Sequence, residues 1–371
     1  MTQARTHLVK PILLIIIVLS LVVAPQENRR TAQAGPLPDA NPPTGTFGYP
    51  EYINPLTGLA VNDPTIMNRR PVLTKVSNYP PSGRPHAGLS YADIVFEYYI
   101  GEYTNRFLAL YYSNNAPSAW PLRSGRLIDP QLTLMYGGIL VYGNADPRVD
   151  AVIVRDLGER ALSFNMSPCP PICGDATHSV AGVYVDTAAV SEYADRHGID
   201  NQRPNLTGML FDKRVPTSSQ LAISLEVNYI SWNRGEWRYD ADSHRYLRWI
   251  ESWDEGTKYP LIPLVDKING QQIAFDNIVL VFSTYVEYNP TLHDVLIWDS
   301  SEPQRAILMR DGIIQEGFWQ SIGRTNPIRF TDEDGMPMRF RPGNTWMVIV
   351  DNASKFDQID AGQWQLLFDL P

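Results

Sequence analysis

The sequence predicts an α+β fold, with an N-terminal mixed α/β domain followed by a mainly antiparallel β domain. Three observations lead there. Strand-like and helix-like segments alternate across 52–200, as they do where helices layer on a sheet. Beyond 221 the segments are almost all strand-like, with Asp-Gly turn signals between them. The chain of 371 residues, 44% apolar and 11% aromatic, is longer than one core usually supports. Two domains are therefore expected, at 51–215 and 221–371, joined by the loop 212–220.

The N-terminus reads as a signal peptide or signal anchor over 1–34. Its apolar run, 12–24, has 13 residues, the length of an export signal's core; a membrane span needs about 20. Ala32-Gln33-Ala34 offers a cleavage site, although Arg29 and Arg30 lie between it and the run. Both readings place the body outside the cytoplasm, secreted or anchored by this segment, which is also its expected membrane contact. Residues 35–50, rich in Pro and Gly, read as a tether.

In the first half, 70–78, 92–100, 106–113 and 137–144 are β-branched or aromatic runs bounded by turn residues, hence strands. Residues 127–137 have helix-like spacing at Leu132, Met135 and Tyr136, with Asp129 as the expected N-cap and Pro130 at the first position. Residues 151–156 fit either a strand or the start of a helix. Residues 187–198 form an amphipathic helix, capped by Asp186 or Thr187 and ended by Gly198. In the second half, 221–230, 236–240, 244–252, 277–288, 294–300, 304–310 and 345–350 read as strands. Asp311-Gly312 marks a tight hairpin, because its turn needs positive φ at both central residues.

The formal charge is -9, and residues 1–34 contribute +3, so the remainder carries -12. Such an acidic body repels nucleic acid, and no nucleic-acid partner is expected. Motifs for a phosphate-cradling loop, a serine-nucleophile elbow or a zinc helix are absent, and no cofactor or metal is expected. The two cysteines, Cys169 and Cys173, share a Pro-rich loop, which in an exported protein favours a disulfide. Asp175 and His178 make a metal site the rival reading.

Polar residues that bear chemistry gather in the first half: Arg84, Asp93, Glu97, Arg106, Arg123, Ser124 and Arg126. Strand alternation places Asp93 and Glu97 on one face. Two half-buried carboxylates need cationic partners, so arginines pairing with them is the plain reading. The sharper one is a cleft where guanidinium groups take a carboxylate or phosphate bidentately. An Asp/Glu pair can also serve hydrolysis of a sugar bond.

The stretches NPLTGL, RPVLTKVSN, GRPHAGLSYADIVFEYYI, TNRFLALYYS and PLRSGR occur in this order, followed by DNIVLVFS, ILMRDGIIQEGFWQ and PIRFTDEDGMPMRFRPGNTWMVIV. Together they resemble the YerB-like family of bacterial envelope proteins, over about 50–355. The resemblance implies an exported, two-domain protein of a type without an assigned activity, in which the seven polar positions above form one cluster. The chain departs from the family in lacking the lipid-bearing cysteine. It also has Gly143-Asn144-Ala145-Asp146 where a histidine-containing stretch is expected. The expected function is an envelope binding module for an anionic small molecule, a glycan or a protein partner. The alternative is a cell-wall or polysaccharide hydrolase using Asp93 or Glu97.

Overall fold

The structure is a computed structural model, and it describes residues 49–175, 181–217, 220–254, 256 and 258–371. Residues 1–34, most of the tether and His178 lie outside the described residues. Among the described residues no helix is long and apolar enough to cross a membrane.

The first half supplies β1 (Val72–Ser77), β2 (Ile94–Gly101), β3 (Thr104–Tyr111), β4 (Ile139–Tyr142) and β5 (Ala161–Ser163). Its helices are α1 (Ile128–Met135), α2 (Pro147–Leu157) and α3 (Thr187–His197). The second half begins with β6 (Ser224–Ile230), β7 (Asn233–Asp240), β8 (Arg245–Glu251), β9 (Leu261–Pro263) and β10 (Ala274–Phe275). It continues with β11 (Asn277–Ser283), β12 (Gln304–Arg310), β13 (Ile313–Gln320) and β14 (Arg329–Thr331). It ends with β15 (Thr345–Asp351), β16 (Lys355–Asp360) and β17 (Gln363–Leu367).

Ten of these strands form one sheet, in the order β14-β13-β12-β11-β15-β2-β3-β1-β4-β5. β15 lies between β11 and β2 and is parallel to both. The change of pattern near 216–220 is therefore not a break in the sheet: hydrogen bonds run across it from the first half to the second. β1, β2, β11 and β15 are buried along their whole length, as central strands covered on both faces must be. On one face Phe96 meets Tyr136 at the end of α1. On the other, Trp346 of β15 packs edge-on against Trp237 of β7 and Phe275 of β10.

Trp237 and Phe275 belong to a seven-stranded sheet, ordered β9-β8-β7-β6-β17-β16, with β10 paired to β8. β6 and β7 alternate buried and half-exposed residues, the signature of a sheet with one wet face. The Asp311-Gly312 turn forms as expected, with φ of 52° and 75°.

Some local expectations are corrected. Asp129 does not cap α1: the helix starts at Ile128, and Asp129 sits buried in its first turn. Residues 151–156 are helical, within α2, which Asp146 caps by accepting from Arg148 N at 2.9 Å. The run 277–288 divides into β11 and a strand Tyr285–Asn289, and 294–300 yields only the end of Leu292–Val295. The β16–β17 hairpin was not expected, because the polar run Lys355–Asp360 lacks a buried face. Asp186 and Gly198 cap α3 as expected. Cys169 and Cys173 are joined by a disulfide, with Cα atoms 4.7 Å apart.

Candidate anion-binding site

The seven expected residues fall into two groups. The first is committed to holding the fold. Asp93 is 1% exposed. Its Oδ1 accepts from Asn54 (2.7 Å) and the Ser113 hydroxyl (2.6 Å), and its Oδ2 from the backbone N–H groups of Tyr112 (2.6 Å) and Ser113 (3.1 Å). Burial raises its pKa, and these hydrogen bonds oppose the rise. Glu97 is wholly buried between the sheets, where it accepts from Asn105 (2.5 Å), Trp346 (2.8 Å) and Arg248 (3.3 Å). Arg84 pairs with Glu251 at 2.8 Å. The expected pairing of the first-half arginines with Asp93 and Glu97 is thus corrected. Glu97 takes its arginine from β8, and Asp93 is met by amide, hydroxyl and backbone donors. Asp93 also borders a cavity of about 830 Å³, but both of its oxygens are occupied, and Glu97 has no access to water.

The second group converges. Lys75 and Ser77 of β1, Arg106 of β3 and Tyr98 of β2 share the sheet face that meets α1. The register makes Arg106 the cross-strand partner of both Ser77 and Tyr98. The PLRSGR segment lies across the ends of β1 and β4. Ser77 N donates to Pro121 O (2.9 Å), Arg123 N to Lys75 O (3.0 Å), Gly143 N to Arg123 O (2.8 Å) and Gly125 N to Asn144 O (2.8 Å). β1 and β4 are parallel, so the segment occupies the crevice beyond their carboxyl ends, a common place for ligands in such sheets.

This stitching brings three guanidinium groups together. Arg106 donates to Ser124 O at 2.7 Å, Arg126 to Gly125 O at 2.8 Å, and Arg123 to the Ser77 hydroxyl at 3.2 Å and Tyr79 O at 3.4 Å. Their protein acceptors are neutral. No carboxylate lies within ion-pair distance of any of the three among the described residues. The Nε groups of Arg106 and Arg126 are buried without an acceptor. Burial lowers the pKa of all three, and their mutual repulsion adds to it for Arg106 and Arg123. The Ser124 hydroxyl donates to Asn144 at 2.6 Å, so the stretch that departs from the resembling family supplies a wall of the site.

Beneath the arginines lies a buried triad that the sequence reading missed. Lys75 Nζ donates to Asp129 Oδ1 at 3.0 Å and to the Tyr98 hydroxyl, which in turn donates to Asp129. Asp129 Oδ2 also accepts from Arg126 N at 2.7 Å. One carboxylate therefore faces three basic side chains, Lys75, Arg106 and Arg126. The available signal was Lys75 itself, a charge in the middle of the otherwise uncharged strand Val72–Ser77, where desolvation demands partners. Converging donors with excess positive charge in a partly buried setting suit an anion, held by charge-assisted hydrogen bonds.

Comparison with known proteins agrees with this architecture. The N-terminal domain of a protein family of unknown function, DUF3048, matches residues 56–200, and the C-terminal domain of the same family matches 225–347. The chain belongs to the DUF3048 family. A relative in it is YerB of Bacillus subtilis (strain 168), whose name marks it provisionally as a lipoprotein. The two are 25% identical over 301 residues, which is 80% of this chain and 85% of YerB. The crystal structure of YerB from Bacillus subtilis superposes with a TM-score of 0.64 at 24% identity, covering 80% of this chain and 96% of that one. That likeness establishes the α+β fold of this DUF3048 member.

Proposed function

We propose that the chain is an extracytoplasmic envelope protein whose arginine cluster binds an anionic group, a phosphate or carboxylate, presented by a small molecule, glycan or protein partner. The export-signal pattern of 1–34 and the lipoprotein name of YerB support the location. One observation carries the binding role: Arg106, Arg123 and Arg126 converge on neutral acceptors while their charges repel one another. Folding alone gives no reason to gather like charges in a half-buried place. An anion offers the missing countercharge and takes the unused donors in planar, bidentate geometry.

Isothermal titration with sulfate, phosphate and citrate tests the reading. Saturable binding is expected, weakened at least tenfold in an Arg123→Ala/Arg126→Ala double variant. Equal heats for the variant and the parent chain would refute it.

A further inference from the structure

A second cavity, whose lining includes none of the three clustered arginines, lies between α1, α2 and the hairpin of Tyr285–Asn289 and Leu292–Val295. It holds about 500 Å³. We propose that this cavity binds a neutral pyranose ring.

Its polar floor is made of acceptors. Gln131 of α1 is 3% exposed, and its Nε2 donates to Asp294 Oδ1 at 2.7 Å. Its own carbonyl oxygen, Oε1, is buried with no partner. Asp294 receives a second hydrogen bond, from Val295 N at 2.8 Å, also on Oδ1. Oδ2 therefore remains open, and no cation pairs with Asp294 among the described residues. A buried amide oxygen without a donor carries a desolvation cost that a ligand can remove. The cavity asks for O–H donors at two adjacent points.

The walls ask for an apolar face. Tyr288 stands 60% exposed at the rim, and Leu127, Leu292 and Trp298 line the sides. Aromatic rings beside a fixed carboxylate and amide match a sugar ring, whose C–H face packs on the aromatic surface while its hydroxyl edge donates to acceptors.

The cavity's cations are already spent. Arg148 closes a bidentate pair with Asp146 (2.9 and 3.0 Å), and Arg155 one with Asp156 (2.6 and 2.9 Å). An anionic ligand finds no free guanidinium here, in contrast to the PLRSGR site. A neutral ligand needs none.

The test uses the full chain and three neutral probes: cellotriose, maltotriose and N,N′,N″-triacetylchitotriose. Binding is read by titration calorimetry and by the indole fluorescence of Trp298, isolated by comparison with a Trp298→Phe chain. At least one probe is expected to bind saturably. Tyr288→Ala and Asp294→Asn should each weaken that binding tenfold or more, while Arg123→Ala/Arg126→Ala leaves it unchanged. Tyr288 is exposed, so its replacement keeps the fold, which circular dichroism verifies. Absence of saturable binding by all three probes overturns the proposal. So does binding that neither Tyr288→Ala nor Asp294→Asn alters, and so does binding abolished by the arginine double variant, which would assign the sugar to the other site.

Discussion

Glu97 of β2 and Arg248 of β8 form an ion pair at 3.3 Å, sealed between the two sheets with side chains 1% and 2% exposed. The guanidinium lies over the rings of Trp237 and Trp346, 4.9 and 5.5 Å from their centroids. A side chain at Gly235 would occupy the same space, since its Cβ would fall 2.4 Å from Arg248 Nη2. The pair ties the first half of the chain to the second at the centre of the fold. Removing one member strands a charge in a dry interior, at a cost of about 3–5 kcal/mol. Arg248→Ala is expected to lose that much in urea unfolding. The Glu97→Gln/Arg248→Met double variant should lose clearly less, because no charge is left behind. A loss below about 1 kcal/mol for Arg248→Ala would mean that the pair contributes little to stability.

Asp93 provides a second structural test. Four donors converge on its carboxylate, and a buried donor left without an acceptor costs about 1–3 kcal/mol. Asp93→Ala is expected to destabilise the chain by about 3 kcal/mol or more, visible as a fall in Tm. If Asp93 were instead a free acid serving hydrolysis, its replacement would leave Tm nearly unchanged and act only on turnover.

The strands were legible because the signal is local. Val72–Ser77, Ile94–Gly101 and Thr345–Asp351 are dense β-branched and aromatic runs, and Asp311-Gly312 announces its turn. Pairing across the chain was not legible. Glu97 finds Arg248 151 positions away and Trp346 249 positions away. Nothing near Thr345–Asp351 indicates that it would enter the sheet beside β2 rather than close a separate domain. The same limit shaped the site. The PLRSGR arginines stood out as a local cluster, but Arg84, Asp93 and Glu97 could not be told from them without their distant partners. Lys75 was overlooked, and Asp129 was read only as a helix cap, because their partners lie in other segments.

The two classes of arginine should respond oppositely to replacement. Arg84 neutralises Glu251, whose side chain has no exposure, so Arg84→Met leaves a buried carboxylate unpaired and should cost about 3 kcal/mol. Arg123 and Arg126 make no ion pair among the described residues, and Asp129, which attracts Arg126, keeps its ion pair with Lys75 when either arginine is replaced. Arg123→Met and Arg126→Met are expected to leave Tm unchanged or to raise it, by up to about 1 kcal/mol of stability, as binding residues often do when removed. A loss from these two as large as that from Arg84→Met would assign the whole set to the scaffold.

Lys75 makes the arginine site sensitive to pH. Burial brings its ammonium down to about 7, with Asp129 opposing and Arg106 and Arg126 reinforcing the fall. The unfolded chain keeps this proton up to the ordinary lysine range, about 10.4. Between these limits the unfolded state binds more protons than the folded one, so the lysine's penalty on folding is largest below pH 7 and eases as pH rises. Relative to Lys75→Met, the parent chain should gain stability from pH 7 to 9, by no more than about 1.4 kcal/mol per pH unit. An anion above the arginines favours the charged lysine and should bind best where that form persists. Sulfate, whose own charge is constant in this range, is therefore expected to bind several-fold more weakly at pH 8.5 than at pH 6, with the difference lost in Lys75→Met. An affinity for sulfate that stays level from pH 6 to 8.5 in the parent chain would show that the buried lysine and the bound anion do not sense each other.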